Sequence, residues 1–271
     1  MNALSLHIDN LTFAEAEARI LRYLRDGNFY HQIATVNPDF VMLAEKDPVF
    51  RHIVNHADLT LPDGIGIALP AFLSGTVLKE RIPGVELAEH LMGIAEHCGY
   101  TVYLATRADG LSKYEEVRDT LQKTYPSLSI IGRNINIGDS VEMQTVRENI
   151  KADIVLCNFG APHQDLFIAS LRNSSGAKLG IGVGGTFDFW TGRLKRAPKI
   201  VRIFGFEWLW RLFLQPKRLG RTYNYVVVYS YLCVKQYLGL KIERSAATWH
   251  KWLTPIRIGG RQMVGRFMTF L

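Results

Sequence analysis

Short apolar runs alternate with longer amphipathic stretches along the first 190 or so residues. Residues 13–25 carry apolar side chains at helical spacing behind Thr12, with Glu15 three positions on, the reciprocal start signal of a capping box. Residues 32–36, Gln-Ile-Ala-Thr-Val, form a short, mostly apolar run and read as a buried strand. Asn37-Pro38-Asp39 then opens a helical pattern that reaches about residue 56. Further strands are predicted at 57–62, 101–105, 129–131, 154–157 and 178–183. Between them lie helical segments at 85–97, up to about 124, at 140–151 behind Asp139, and at 166–171. Five or six strand–helix units in series predict an α/β fold: a Rossmann-like, mostly parallel sheet with helices on both faces.

From Ala197 the pattern changes. Residues 200–214 are aromatic and basic, Pro216 breaks them, and residues 226–240 are apolar but include Lys235. That last run is shorter than the roughly 20 residues needed to cross a bilayer, so it reads as packed or interfacial. The chain therefore divides into an α/β core at 1–196, a basic, aromatic, helical appendage at 197–244 and a basic tail at 245–271.

Polar and glycine-rich turns follow the strands rather than precede them, so Thr35, Asn37, Asp63, Gln164 and Thr186 fall at one edge of the expected sheet, where ligands of such folds bind. Asp63, between Pro62 and Gly64, suits a turn or a helix cap. It suits equally a general base that takes a proton from an attacking hydroxyl. Gln164, in Asn158-Phe-Gly-Ala-Pro-His-Gln164, offers an uncharged donor and acceptor to a sugar hydroxyl or phosphate. The glycines of Gly180-Ile-Gly-Val-Gly-Gly185 have the wrong spacing for a dinucleotide fingerprint, and no clear helix follows them. His52 and His56 lack a surrounding metalloprotease pattern and read as surface histidines. No Asp-x-Asp pair, Walker-type loop or Gly-x-Ser-x-Gly turn is found.

Composition is ordinary for a globular protein, with 48% hydrophobic and 21% charged residues. Three separated cysteines suggest neither a disulfide framework nor a zinc site, the N-terminus has no signal-peptide pattern, and a reducing cytoplasm is expected. The net charge of +7 hides a division: residues 1–190 hold 16 Lys/Arg against 23 Asp/Glu, and residues 191–271 hold 16 against 2. Such a basic end suits an anionic membrane surface, a phosphate-bearing ligand or nucleic acid.

Several stretches together resemble the bacterial WecG/TagA/CpsF glycosyltransferase family. They are Thr35-Val-Asn-Pro-Asp39, Leu61-Pro-Asp-Gly64, Arg81-Ile-Pro-Gly-Val-Glu-Leu87 and Gly160-Ala-Pro-His-Gln164. The longest block runs from Gly182 to Pro198, followed by Glu207-Trp-Leu-Trp-Arg211 and Gln215-Pro-Lys-Arg218. The resemblance covers about residues 5–240. It implies an inverting, metal-independent transferase without cofactor, moving a sugar from a UDP-sugar to a polyprenyl-diphosphate-linked sugar in cell-surface polysaccharide synthesis. Such an enzyme is cytoplasmic and peripheral on the inner membrane face.

Carried over residue by residue, the resemblance makes Asp63 the catalytic aspartate. It makes Thr35, Asn37, Arg81 and Gln164 substrate-binding residues, and Arg211, Arg218 and Arg221 the appendage arginines that close over the donor diphosphate. The family motif usually has lysine where His163 stands, and the tail beyond about residue 244 exceeds the family's usual end. N-acetylmannosamine is the favoured sugar as the commonest family theme; its uronic acid and glucose are alternatives. A homo-oligomer is left open, and no nucleic-acid partner is expected. The rival reading is a non-catalytic protein whose basic end binds anionic lipid or nucleic acid.

Overall fold

The computed structural model describes residues 1–26, 29–173, 176–216 and 219–239. It opens on a small antiparallel ribbon, β1 (Asn2–Ala3) with β2 (Leu6–His7). Helix α1 (Phe13–Asp26) starts as its sequence predicts, with Thr12 N–H donating to Glu15 Oε2 at 2.8 Å and Glu15 N–H to Thr12 Oγ1 at 3.2 Å.

Six parallel strands form the main sheet. In chain order they are β3 (His31–Val36), β4 (Leu59–Pro62), β5 (Thr101–Arg107), β6 (Ser129–Ile135), β7 (Ile154–Cys157) and β8 (Leu179–Gly182). Their spatial order is β4-β3-β8-β7-β5-β6. The chain runs outward from β3 to β4 and then crosses to the other half of the sheet. The resulting reversal of strand order opens a crevice at the carboxyl edge.

Both faces are covered, as the apolar strands require. Ile33, Leu59 and Leu61 pack under α1, α5 (Gly84–Cys98) and α6 (Tyr114–Thr124). The alternate residues Ala34 and Val36 face α2 (Pro38–Lys46), α3 (Pro48–Asn55) and the ribbon. Helices α7 (Ser140–Asn149) and α8 (His163–Ser170) close the remaining part of the sheet over β5 and β7.

Four local expectations are corrected. The single helix expected to about residue 56 is two, because Asp47 caps a new start and Pro48 takes its first turn. Strand β6 extends four residues beyond 131, in register with β5 through Arg107↔Ile135. Helix α8 begins at His163, earlier than 166. A short helix, α9 (Thr186–Trp190), does open directly after Gly185.

The C-terminal segment also breaks more often than its composition suggests. It comprises α10 (Lys199–Ile203), α11 (Glu207–Leu214), α12 (Leu219–Tyr223), a π-helical turn (Asn224–Val228) and α13 (Tyr229–Tyr237). Val228, Tyr229, Leu232 and Cys233 are buried in the same cluster as Val36, Phe40 and the ribbon. The appendage thus shares a core with the first α/β units, and among the described residues no helix is long and apolar enough to cross a membrane.

Candidate active site

Beyond β4 the chain makes a tight corner. Asp63 N–H still donates to Val36 O at 2.8 Å, so the residue is held to β3 while its side chain leaves the sheet. Gly64 turns the chain at φ +94°, and a Cβ on Gly66 would collide with the ring of Pro38. Two glycines therefore let a short 3₁₀ turn (Ile65–Ile67) and helix α4 (Ala68–Leu73) pack against the start of α2. Ile82 N–H donates to Pro62 O at 2.8 Å, which draws Arg81 and the first turn of α5 to the corner.

The appendage is laid across this corner. Gly205, between α10 and α11, has φ +75°, and a Cβ there would lie 2.6 Å from Ile65 Cβ. Arg196 and Arg202 reach Glu86, in the first turn of α5, at 2.8 and 3.2 Å, and Arg81 Nη2 donates to Arg202 O at 3.0 Å. Helix α11 consequently presents Glu207, Trp208 and Arg211 to the corner.

Between corner and appendage lies a cavity of about 300 Å³. Asp63, Arg81, Glu207 and Arg211 line it, with Asn37 and Asp39 from the start of α2. Leu69, Val85, Trp208, Tyr225, Val226 and Tyr229 add apolar and aromatic lining. Trp208 and Tyr225 meet edge to face with centroids 6.5 Å apart.

Burial raises the Asp63 carboxyl to about 6 from an ordinary value of 3.8, with the negative Glu207 adding to the effect. Arg211, Arg81 and the Gly84 N–H pull the other way and lose. The group is a stronger base than a solvated aspartate, yet still mostly ionised at neutral pH. A proton acceptor in a cavity with two guanidinium groups suits removal of a proton from a hydroxyl while negative charge develops on a phosphate-bearing leaving group.

Of the residues singled out from the sequence, Asn37, Asp63, Arg81 and Arg211 line this cavity. Asn37 also caps α2, its Oδ1 accepting from Phe40 N–H at 3.2 Å. Thr35 is buried just beneath, so close to the first turn of α5 that a Cβ on Gly84 would sit 3.1 Å from its Oγ1.

Gln164 and Thr186 lie at the same sheet edge but do not line the cavity. Gln164 is buried, and its Oε1 accepts from Gly160 N–H at 3.2 Å and Gly184 N–H at 3.1 Å, tying together the turns after β7 and β8. Thr186 is buried and donates to Val183 O at 2.7 Å. His163 opens α8, where burial and Arg107 favour its neutral form. Arg218, the side chain of Arg221 and the tail at 245–271 lie outside the described residues.

Glu207 and the aromatic wall were not among the sequence candidates. The signal for Glu207 was its i, i+4 spacing to Arg211, which puts both on one helix face. Tyr225 and Tyr229 carried no such signal, since only the packing of the appendage turns them to the corner.

Comparison with known proteins finds a family and relatives for the chain. Residues 1–243 match the model of the glycosyl transferase WecG/TagA/CpsF family. One relative, the N-acetylglucosaminyldiphosphoundecaprenol N-acetyl-beta-D-mannosaminyltransferase of Bacillus subtilis (strain 168), is 32% identical over 192 residues, covering 70% of this chain and 73% of its own. The proteins of the same name from Bacillus spizizenii and Staphylococcus aureus (strain MRSA252) are 30% and 27% identical. They cover 80% and 87% of this chain, and 82% and 92% of theirs. A family match over nearly the whole chain, on a fold that gathers the shared motifs at one sheet edge, establishes that this chain belongs to the WecG/TagA/CpsF family of glycosyl transferases.

Proposed function

We propose that this transferase moves N-acetylmannosamine from UDP-N-acetylmannosamine to N-acetylglucosamine carried on a polyprenyl diphosphate, with inversion at the anomeric carbon. The relatives' shared name supports the sugar and the acceptor. The observation that carries the chemistry is a carboxyl of pKa about 6 in a cavity with two arginines. Asp63 takes the proton of the acceptor hydroxyl as that oxygen attacks the anomeric carbon. The bond from that carbon to the UDP oxygen breaks, and its electron pair leaves on the diphosphate.

Arg211 and Arg81, joined by Arg218 and Arg221, stabilise the departing charge. Thr35 and Asn37 shape the floor beside Asp63. Gln164 acts by holding the two turns at the donor side of the edge in register. Family membership favours this enzyme over the lipid- or nucleic-acid-binding protein that the basic C-terminus alone would also allow.

The lipid-linked acceptor requires the enzyme to work at a membrane surface. Ile200, Ile203, Phe204 and Phe213 are about two-thirds or more exposed on α10, α11 and the turn between them, and the exposed Lys199 stands beside them. That mixture of apolar and cationic groups suits the interface of an anionic bilayer. We place the protein on the inner face of the cytoplasmic membrane as a peripheral enzyme.

The test is UDP release with polyprenyl-diphosphate-linked N-acetylglucosamine, comparing UDP-N-acetylmannosamine, its uronic acid and UDP-glucose, for wild type and Asp63→Asn. Turnover with UDP-N-acetylmannosamine that disappears in the variant is the expected result. Turnover only with another donor would overturn the sugar, and an active variant would overturn the base.

A further inference from the structure

Arg211 poses a difficulty for the reading above, on which this inference rests. A guanidinium in the same cavity as a catalytic carboxylate is attracted to it, and a paired carboxylate is a poor proton acceptor. The groups facing Asp63 are Arg81 from the loop before α5, the Gly84 N–H at the start of α5, Glu207 and Arg211 from α11, and Asp39 from the first turn of α2. Tyr225 and Tyr229 complete the wall from the π-helical turn and α13.

Within this set Glu207 takes hold of Arg211. Its Oε1 accepts from Arg211 Nη2 at 3.2 Å across one turn of α11, and its side chain is only 18% exposed. The guanidinium lies over the Phe189 ring, 4.8 Å from the centroid, which fixes its plane. Arg211 Nε is buried without a hydrogen-bond partner in the described structure, so this donor is still free for an anion. The pairing satisfies one edge of the guanidinium and leaves another available. The negative charge of Glu207 meanwhile opposes early ionisation of Asp63.

We propose that Glu207 is a positioning residue, which holds Arg211 off the Asp63 carboxylate and turns its unpaired edge to the diphosphate of the sugar donor. The same carboxylate thereby serves both ends of the displacement: it keeps the base available to the acceptor hydroxyl, and it orients the cation that meets the leaving group. A residue that merely stabilised α11 would do neither.

The experiment measures kcat for UDP formation between about pH 5 and 9, in the full-length wild type, Glu207→Gln and Glu207→Asp, with UDP-N-acetylmannosamine and the lipid-linked acceptor. In Glu207→Gln the freed Arg211 can pair with Asp63. The acid limb of the profile should then move down by about half a pH unit or more, and the plateau rate should fall about tenfold. Glu207→Asp should restore the limb and most of the rate.

A Glu207→Gln enzyme with the wild-type limb and plateau overturns the proposal, as does a loss of rate with an unmoved limb that Asp does not rescue. Should Glu207→Gln alone fold poorly, the double variant with Arg211→Gln decides: because the Glu207 charge also acts on Asp63 directly, adding Glu207→Gln to Arg211→Gln should still move the limb, but by clearly less than Glu207→Gln moves it in the wild type, and an equal shift in both backgrounds would refute the pairing. Asp63→Asn, measured in parallel, separates the two readings. If it stays active the base assignment fails; if it is dead while Glu207→Gln behaves as wild type, only the positioning role fails.

Discussion

Replacing Asp63 with asparagine should make the protein more stable and nearly inactive. In the fold the carboxyl titrates at about 6 rather than 3.8, because burial and the charge of Glu207 outweigh Arg211, Arg81 and the Gly84 N–H. At about 1.4 kcal/mol per pH unit, ionising it at neutral pH costs the native state up to about 3 kcal/mol. Since Asp63 is only partly buried, solvent screening reduces that figure, and we expect roughly 1–3 kcal/mol.

The sign follows from linkage. A group whose folded pKa is raised contributes stability that is fully present below the unfolded value near 3.8 and is lost as the pH rises through about 6. Asparagine is neutral throughout, so Asp63→Asn should unfold later than wild type at pH 7.5, by roughly 2–6 °C. The difference should shrink toward zero near pH 4 as the wild-type carboxyl takes its proton. Thermal melts at four pH values, with urea unfolding to obtain free energies, read this directly. Turnover should meanwhile fall by about 100- to 10,000-fold. A variant no more stable than wild type at pH 7.5, or a gain independent of pH, would refute the electrostatic account of the corner.

Three further outcomes are expected. Asp165 is buried, its Oδ2 has no partner among the described residues, and burial raises it to about 7; Asp165→Asn should therefore gain roughly 2–4 kcal/mol over wild type at pH 8.5, less than half of that at pH 5 and little near pH 3.5, in the same urea assay. Gln164→Ala strips the acceptor from two glycine N–H groups and should cost roughly 1–3 kcal/mol in urea unfolding. Gly205→Ala forces a Cβ against Ile65 at a left-handed φ, so α11 must lift from the corner; UDP release should drop about tenfold or more while the far-UV spectrum of the α/β core persists.

The strands and most helices were legible because their signals are local. Thr12 and Glu15 announce α1, Asp139 accepts from the N–H groups of Val141 and Glu142 to cap α7, and the apolar runs of β3 and β7 need cover on both faces. Local signals also mislead where two compete. The helical pattern from Pro38 to about residue 56 hid the break at Asp47-Pro48, where a second cap and a second N-terminal proline restart the helix. Composition made residues 200–214 look continuous, whereas Gly205 splits them in order to pass Ile65.

The candidate site divides in the same way. The sequence by itself determined that Asp63 sits on a strand-to-helix corner, that Asn37 opens a helix after the neighbouring strand, and that a basic aromatic segment follows the α/β units. Each of these depends on residues within one turn or one strand of each other. Only the tertiary structure decided that α11 lies across the corner, that Glu207 and Arg211 face Asp63, and that Gln164 is engaged with Gly160 and Gly184. Those relations join positions more than a hundred residues apart, or turns that meet only when strands pair. The pKa of Asp63 depends on the placement of α11 above all, because desolvation and the charges of Glu207 and Arg211 are set by what the fold brings within a few ångströms.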